Sequence, residues 1–270
     1  MTTTIKRKAR VALVGGANSP KLYAALQIAF GLTGNYQRII VIDSTGKADR
    51  YSILGDYHVC EIHPQSTPDR YSSLLNIVQG TPHDAVILDL TSEWRSVTAQ
   101  VNEYNYQQVL RSHRTFMQQL KFSCTHIIAL VDSERKLAYR DKGGNCKLHF
   151  ENRIVQMEGV ENFFTTVLRL DRKGYATTEK DLTGMLPKDK QFKPDALSGA
   201  VLHDWCSKGR TVVPEELQKK IDACTSLGEL YNLLFSSEVT DAEMVSAFTQ
   251  KRIDLEAEFD IQAGQDAYPF

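Results

Sequence analysis

No CxxC pair occurs in the chain, and its five cysteines, Cys60, Cys124, Cys146, Cys206 and Cys224, are scattered and odd in number. That argues against a disulfide framework and fits reduced thiols in a reducing compartment. No apolar run approaches the roughly 20 residues that a membrane-spanning helix needs. The stretch from Met1 to Arg10 is polar and basic and lacks the apolar centre of a signal peptide. The expectation is therefore a cytoplasmic protein with no membrane partner. Neither sign of charge is in excess: 32 Lys and Arg stand against 33 Asp and Glu, a formal net charge of −1. Any face for nucleic acid must then be local. There is no internal repeat and no low-complexity tract. What is present is ample apolar material. With 270 residues, 42% of them hydrophobic, the chain can build one α/β domain with an appendage, or two small domains.

The hydrophobic pattern predicts buried strands at 9–15 (ARVALVG), 38–43 (RIIVID), 84–89 (DAVILD) and 126–131 (HIIALV), with a weaker one at 57–62. Helical spacing lies between most of them. Leu22, Ala25, Leu26, Ala29 and Phe30 share one face after Pro20, and Thr67-Pro68 opens a second helix. A long helix is expected from about Ser92 to Lys121. Apolar strands separated by helices imply a mostly parallel sheet covered on both faces. Beyond residue 132 the weak strand signals at 147–150 and 163–170 suggest antiparallel hairpins extending the sheet. Residues 185–198 read as a linker, rich in lysine and proline, and 199–270 as a small helical appendage after a core of residues 1–184.

The first strand–turn–helix junction carries the chemistry. Gly15-Gly16-Ala17-Asn18-Ser19-Pro20-Lys21-Leu22 has the spacing of GxxxxGK[ST], in which backbone N–H groups cradle phosphates, the lysine meets the outer ones and the hydroxyl binds magnesium. Pro20 replaces the second glycine and Leu22 the hydroxyl residue. Proline has no N–H to offer, and leucine no oxygen for magnesium. The same residues also read as a plain helix start, with Ser19 as N-cap and Pro20 in the first position. The candidate nucleotide-binding residues are Gly15, Gly16, Ala17, Asn18, Ser19 and Lys21. Asp89, which ends an apolar strand, is the candidate catalytic acid that would orient magnesium.

Other clusters read more simply. His58, Cys60 and His63 lie near one strand, but a zinc site needs a further ligand at defined spacing and none is evident, so no metal-ligating set is predicted. Trp94, Tyr104, Tyr106 and Phe116 alternate with Arg95, Arg111, Arg114 and Lys121. That mixture serves single-stranded nucleic acid by stacking, or equally a helix that packs its aromatics and solvates its charges. Residues 134–153 are locally basic and suit either a phosphate-contacting hairpin or a solvated loop.

Taken in order, five segments resemble the RecA-like P-loop ATPases of bacteriophages and mobile elements, including those associated with recombination and single-strand annealing. They are the loop at 15–21, VIDSTGKADRY at 41–51, ILDLTSEW at 87–94, ALVDSERKLAYRD at 129–141 and the stretch 156–184 that ends in KDLTG. The resemblance covers roughly residues 9–184. It implies a RecA-like α/β core with a β-hairpin extension, ATP with Mg²⁺ as cofactor, Lys136 and Lys180 as phosphate or DNA contacts, and single-stranded DNA and further copies of the chain as partners. Departures matter as much. Thr45 stands where the family has a water-polarising glutamate, and Leu182 where it has a basic residue. Losing parts that position and stabilise charge removes most of phosphoryl-transfer catalysis. The expectation is thus a degenerate nucleotide-binding fold acting in DNA recombination or replication, with weak or absent ATP hydrolysis. An active ATPase with an atypical loop and a non-enzymatic interaction scaffold are the alternatives.

Overall fold

The computed structural model describes residues 3–5, 7–142, 145–208, 210–212, 215–236 and 247–255. The chain forms two compact units, residues 8–207 and residues 1–7 with 208–270. Strand β1 (Thr3–Ile5) belongs to the smaller unit.

The larger unit is built on β2 (Arg10–Gly15), whose residues are all buried. Val11 and Leu13 pack into one apolar cluster and Ala12 and Val14 into another. Successive side chains of a strand point to opposite faces, so a strand apolar at every position is covered on both. Helix α1 (Lys21–Thr33) lies in the first cluster. Strands β3 (Ile39–Asp43) and β4 (His58–Glu61) follow, then α2 (Pro68–Gln79), which starts with Thr67 as N-cap and Pro68 next, as expected. After β5 (Ala85–Asp89) the expected single helix is two, α3 (Glu93–Gln100) and α4 (Tyr106–Phe122). The interruption has a local cause. Asn102 Oδ1 accepts from the N–H groups of Tyr104 and Asn105, and Asn105 Oδ1 from that of Asn102. These side-chain bonds compete with the helical ladder for the same donors.

Strand β6 (His126–Lys142) is far longer than its apolar run. Up to Asp132 it pairs in parallel with β2; from Ser133 it pairs antiparallel with β7 (Asn145–Ile154). The hairpin expected around 147–150 therefore exists, and β6 supplies its other arm. Strands β8 (Thr166–Leu170) and β9 (Ala176–Asp181) complete the sheet, whose order is β4-β3-β5-β6-β2-β8-β9 with β7 beside β6. All pairings from β4 to β8 along this path are parallel, and β8–β9 is antiparallel. The fold is thus α/β with a mostly parallel mixed sheet. Because β5 and β6 lie between β2 and β3, the order differs from the dinucleotide-binding order, in which the first two strands adjoin. Parallel strands end on one edge of the sheet, and there the turns after β2, β3 and β5 converge.

The expected linker at 185–198 is docked on this unit instead. Leu186 is buried in the core, and Phe192 exchanges both backbone hydrogen bonds with Ala176, at 2.7 and 3.1 Å. Helix α5 (Ala196–Ser207) then packs on α1 at a glycine pair. A Cβ on Gly31 would sit 1.9 Å from the carbonyl oxygen of Ala196, and one on Gly199 2.1 Å from that of Ile28. The boundary falls after Ser207 rather than near residue 184, because small residues let two backbones touch. Gly31→Ala should therefore cost roughly 1–3 kcal/mol through overpacking. Gly16→Ala, with no neighbour within 4 Å, is the control. Equal urea midpoints for the two variants would show that α1 and α5 do not meet this closely.

In the smaller unit β1 pairs antiparallel with β10 (Arg210–Val212), followed by α6 (Glu215–Ala223), α7 (Leu227–Ser236) and a helical stretch at 247–255. Ile221, Cys224, Leu230, Phe248 and Leu255 form its core. Within the region expected to be helical from residue 199, α5 falls in the larger unit, the described residues beyond it hold the short strand β10 and these three helical stretches, and 237–246 and 256–270 lie outside the described residues. Among the described residues no helix is long and apolar enough to cross a membrane.

Candidate functional site

Strand β2 ends at Gly15, and the chain must turn within 16–20 to begin α1 at Lys21. Gly15 is sterically required. A Cβ there would lie 2.3 Å from Ser19 Oγ and 2.9 Å from the carbonyl oxygen of Leu170. Ser19 does not cap the helix, contrary to expectation. Pro20 is the N-cap, at φ −80° and ψ 53°, and makes no side-chain cap. Both the N–H and the hydroxyl of Ser19 donate to the Gly16 carbonyl, at 3.0 and 2.8 Å. The turn is thereby closed on its own carbonyl, because proline supplies no donor that would hold it open around an anion. Ala17 and Asn18 are exposed at its tip.

Lys21 is buried and fully engaged. Its ammonium donates to the carbonyls of Gly15 at 3.0 Å and Gly16 at 2.9 Å, and to Asp132 Oδ1 at 3.0 Å. The second oxygen of Asp132 takes Arg95 Nη1 at 3.3 Å. Asp132 was not among the expected site residues. A signal for it existed: it follows the apolar run of β6, the same strand-end position that Asp43 and Asp89 occupy on β3 and β5. Its register partner on β2 is Gly15, which brings it under the loop.

Those two acids are also satisfied within the protein. Asp43 accepts from the N–H groups of Thr45 (2.8 Å), Gly46 (3.0 Å) and Ala48 (2.7 Å). It therefore shapes its own turn. Asp89 Oδ1 accepts from the N–H and hydroxyl of Thr91, at 3.1 and 2.7 Å, and Oδ2 from the Thr45 hydroxyl at 2.7 Å. The backbone carbonyl of Asp89 takes Tyr71 Oη at 2.9 Å, and burial pushes that phenol's pKa up, which keeps it a donor. Magnesium wants several oxygen ligands in near-octahedral array. Here Leu22 is buried where a hydroxyl would be needed, and the Asp89 carboxylate is filled by protein donors. The residues do not fit a resident Mg²⁺. Among the described residues no group of three or more His, Cys, Asp and Glu side chains forms a metal set either.

A cavity of about 300 Å³ lies at this strand edge, walled by residues 17–22, Asp43, Thr45, Asp89 and Thr91. Lys47, Arg50 and Tyr51, from the 41–51 segment of the resemblance, line it as well. The volume suits a small ligand. A second cleft of about 480 Å³ shares Gly16–Ser19 and is lined by Arg135, Arg169 and Arg172. Its acid, Asp171, is spent on the N–H groups of Lys173 and Tyr175, both at 2.8 Å. Arg169 pairs with Glu179 through Nε, while its buried Nη1 has no partner. Guanidinium groups with donors to spare favour phosphate and carboxylate.

The remaining expected contacts are placed elsewhere. Lys136 pairs with Glu134 at 2.7 Å on the hairpin, in a groove that also holds Trp94 and Arg153. Lys180 donates to the Glu161 carbonyl at 2.8 Å. Neither lines the loop cavity. Of the aromatics between 94 and 116, Phe116 is core, whereas Tyr104 and Tyr106 are exposed. Glu93, fully buried, accepts from Gln156 Nε2 at 2.7 Å and lies 3.4 Å from His113 Nε2, tying α3, α4 and the segment after β7 together.

The chain is thus an α/β protein with a loop cavity at the carboxyl ends of a mostly parallel sheet. No family model matches the sequence, and no curated protein is significantly similar to it.

Proposed function

We propose that this chain is a degenerate RecA-like P-loop protein of phage or mobile-element type, which holds phosphate-bearing ligands weakly in the clefts beside the closed 15–22 loop, without efficient hydrolysis. Its role is in DNA recombination or replication, with single-stranded DNA as partner. The observation that carries this reading is the internal satisfaction of its two principal groups. The Lys21 ammonium is committed to Asp132 and two loop carbonyls, and the Asp89 carboxylate to Thr45 and Thr91. Hydrolysis needs an oriented water and free charge at the γ-phosphate, and Thr45, at the position of the missing base, donates into Asp89. Lys47 and Arg50 around the cavity, and Arg135, Arg169 and Arg172 across the loop, support phosphate binding. The ordered resemblance over residues 9–184 supports the family.

The test is calorimetric titration of ATP and its non-hydrolysable analogue, with and without Mg²⁺. Wild-type binding should be weak and nearly independent of magnesium. Pro20→Gly with Leu22→Thr should raise affinity at least tenfold, about 1.4 kcal/mol, and only with Mg²⁺. Turnover should stay at background in both proteins. A wild-type rate on the order of 1 s⁻¹ or faster, abolished by Asp89→Ala, would overturn the non-hydrolytic reading. Unchanged affinity in the double variant would leave the fold a scaffold.

A further inference from the structure

At the opposite, amino-terminal end of the strands, two imidazoles face each other. His58 opens edge strand β4, and His83 lies just before β5, so the pair spans β3, which separates those strands. His83 Nε2 lies 3.0 Å from His58 Nδ1, with ring centroids 4.8 Å apart and planes at 81°. In sequence His58 groups with Cys60 and His63. Cys60 instead packs against the core, and His63 Nδ1 accepts from the Gln65 N–H. The partner twenty-five residues on comes from the fold.

The hydrogen bonds behind His83 set its tautomer. Thr81 Oγ1 donates to the Val78 carbonyl at 2.6 Å, so towards His83 Nδ1, also 2.6 Å away, it acts as acceptor. His83 thus carries its proton on Nδ1, and the lone pair of Nε2 faces His58. The proton between the rings belongs to His58 Nδ1. This is the arrangement that orients a metal-ligating histidine: the far ring nitrogen donates to a fixed oxygen, and the near one presents its lone pair.

We propose that His58 and His83 form a two-imidazole site for a divalent transition-metal cation of the Ni²⁺ or Cu²⁺ type. With metal–nitrogen bonds of about 2.0–2.1 Å, an N···N separation like that seen here corresponds to a bite angle of about 91–97°. That is the cis angle of square-planar or octahedral coordination, which Ni²⁺ and Cu²⁺ prefer, whereas tetrahedral Zn²⁺ wants a wider one. The ion lies to one side of the line between the two nitrogens, since bonds of about 2.0–2.1 Å do not fit between them at their present separation. His58 passes from its Nδ1–H to its Nε2–H tautomer, so both lone pairs meet the cation and no proton is released. His58 is exposed and free to turn its ring towards the ion. Among the described residues no third His, Cys, Asp or Glu joins the pair, so water fills the other positions. Hard cations such as Mg²⁺, which take oxygen ligands, are not bound. The consequence is a clamp between β4 and β5 across β3, remote from the loop cavity.

The test is calorimetric titration of the full chain with Ni²⁺ in a non-chelating buffer, with Mg²⁺ as the negative arm. One ion should bind per site. His58→Ala or His83→Ala should weaken binding at least tenfold, and His63→Ala should not. Thr81→Val, which removes the orienting oxygen and leaves both ligands, should weaken it by about tenfold. Ni²⁺ should also raise the urea midpoint of the wild type and not that of the His58→Ala/His83→Ala variant. Equal Ni²⁺ affinity in wild type and this double variant, or no saturation by the wild type at 100-fold excess over protein at about 10 µM, would reduce the pair to a hydrogen bond and overturn the proposal.

Discussion

Replacing Arg10 by leucine is expected to lower the unfolding free energy by about 3–5 kcal/mol, a large share of the about 5–15 kcal/mol that holds a domain folded. Arg10 begins β2 and is buried. Its guanidinium donates to the carbonyls of Ala9 (3.0 Å), Lys121 (3.1 Å), Thr125 (2.8 Å) and Ser123. It thereby closes the end of α4 and the turn into β6 against the central strand. Burial lowers its pKa to about 10, which leaves it charged throughout the physiological range. Leucine fills much of the volume but gives no donor. Each buried acceptor left unpaired costs about 1–3 kcal/mol, and local rearrangement towards water recovers part of the sum. Lysine keeps the charge but cannot fork to several carbonyls, so Arg10→Lys should fall between. Urea unfolding of the three proteins at neutral pH measures this. A loss below about 1 kcal/mol for Arg10→Leu would mean that water reaches these carbonyls without difficulty.

Stability should also fall by about 2 kcal/mol between neutral pH and pH 5 through His126 alone, and by about 4 kcal/mol near pH 3. The imidazole is buried, and its Nδ1 accepts the Ala9 N–H at 3.0 Å. Burial first, and then the charges of Lys8 and Arg10, push its pKa from the usual 6.5 down to about 3. The sign follows directly. Below pH 6.5 the unfolded chain takes up a proton that the folded chain refuses until about pH 3. The contribution is therefore complete above pH 6.5 and is lost progressively as the pH falls to about 3. His126→Asn places a neutral oxygen where Nδ1 was and cannot titrate. The difference in unfolding free energy between wild type and this variant should shift by about 2 kcal/mol on going from pH 7 to pH 5. A difference independent of pH would show that His126 protonates freely in the folded state. Arg10 helps to hold the imidazole neutral, so the effects of these two residues are not additive.

Strand and helix types followed from apolar periodicity because the core leaves no other choice. Val11 to Val14, Ile39 to Ile42 and Val86 to Leu88 are short, apolar on consecutive positions and rich in β-branched residues, which suits a strand covered on both faces better than a helix. The break at 101–105 had a legible cause in Asn102 and Asn105, but its outcome depended on how those side chains paired. The docking of 185–198 and α5 was not legible. A lysine- and proline-rich stretch reads as exposed by composition, and most of it is; its docking rests on Leu186, the bridge to Ala176 and two glycines 168 positions apart that match as surfaces, not as a motif.

For the site, sequence alone determined which chemistry was missing. Pro20 lacks an N–H, Leu22 lacks an oxygen and Thr45 is no base, whatever surrounds them. What the remaining groups do was decided by tertiary structure. Lys21 meets Asp132 because β2 and β6 are neighbours in register, and Asp89 meets Thr45 because the turns after β3 and β5 leave the same edge of the sheet. His58 finds His83 for the same reason at the other edge. Covalent identity sets what a side chain can donate or accept, and spacing sets its local geometry. Which donor meets which acceptor across tens of residues is fixed by strand order, which local periodicity does not encode.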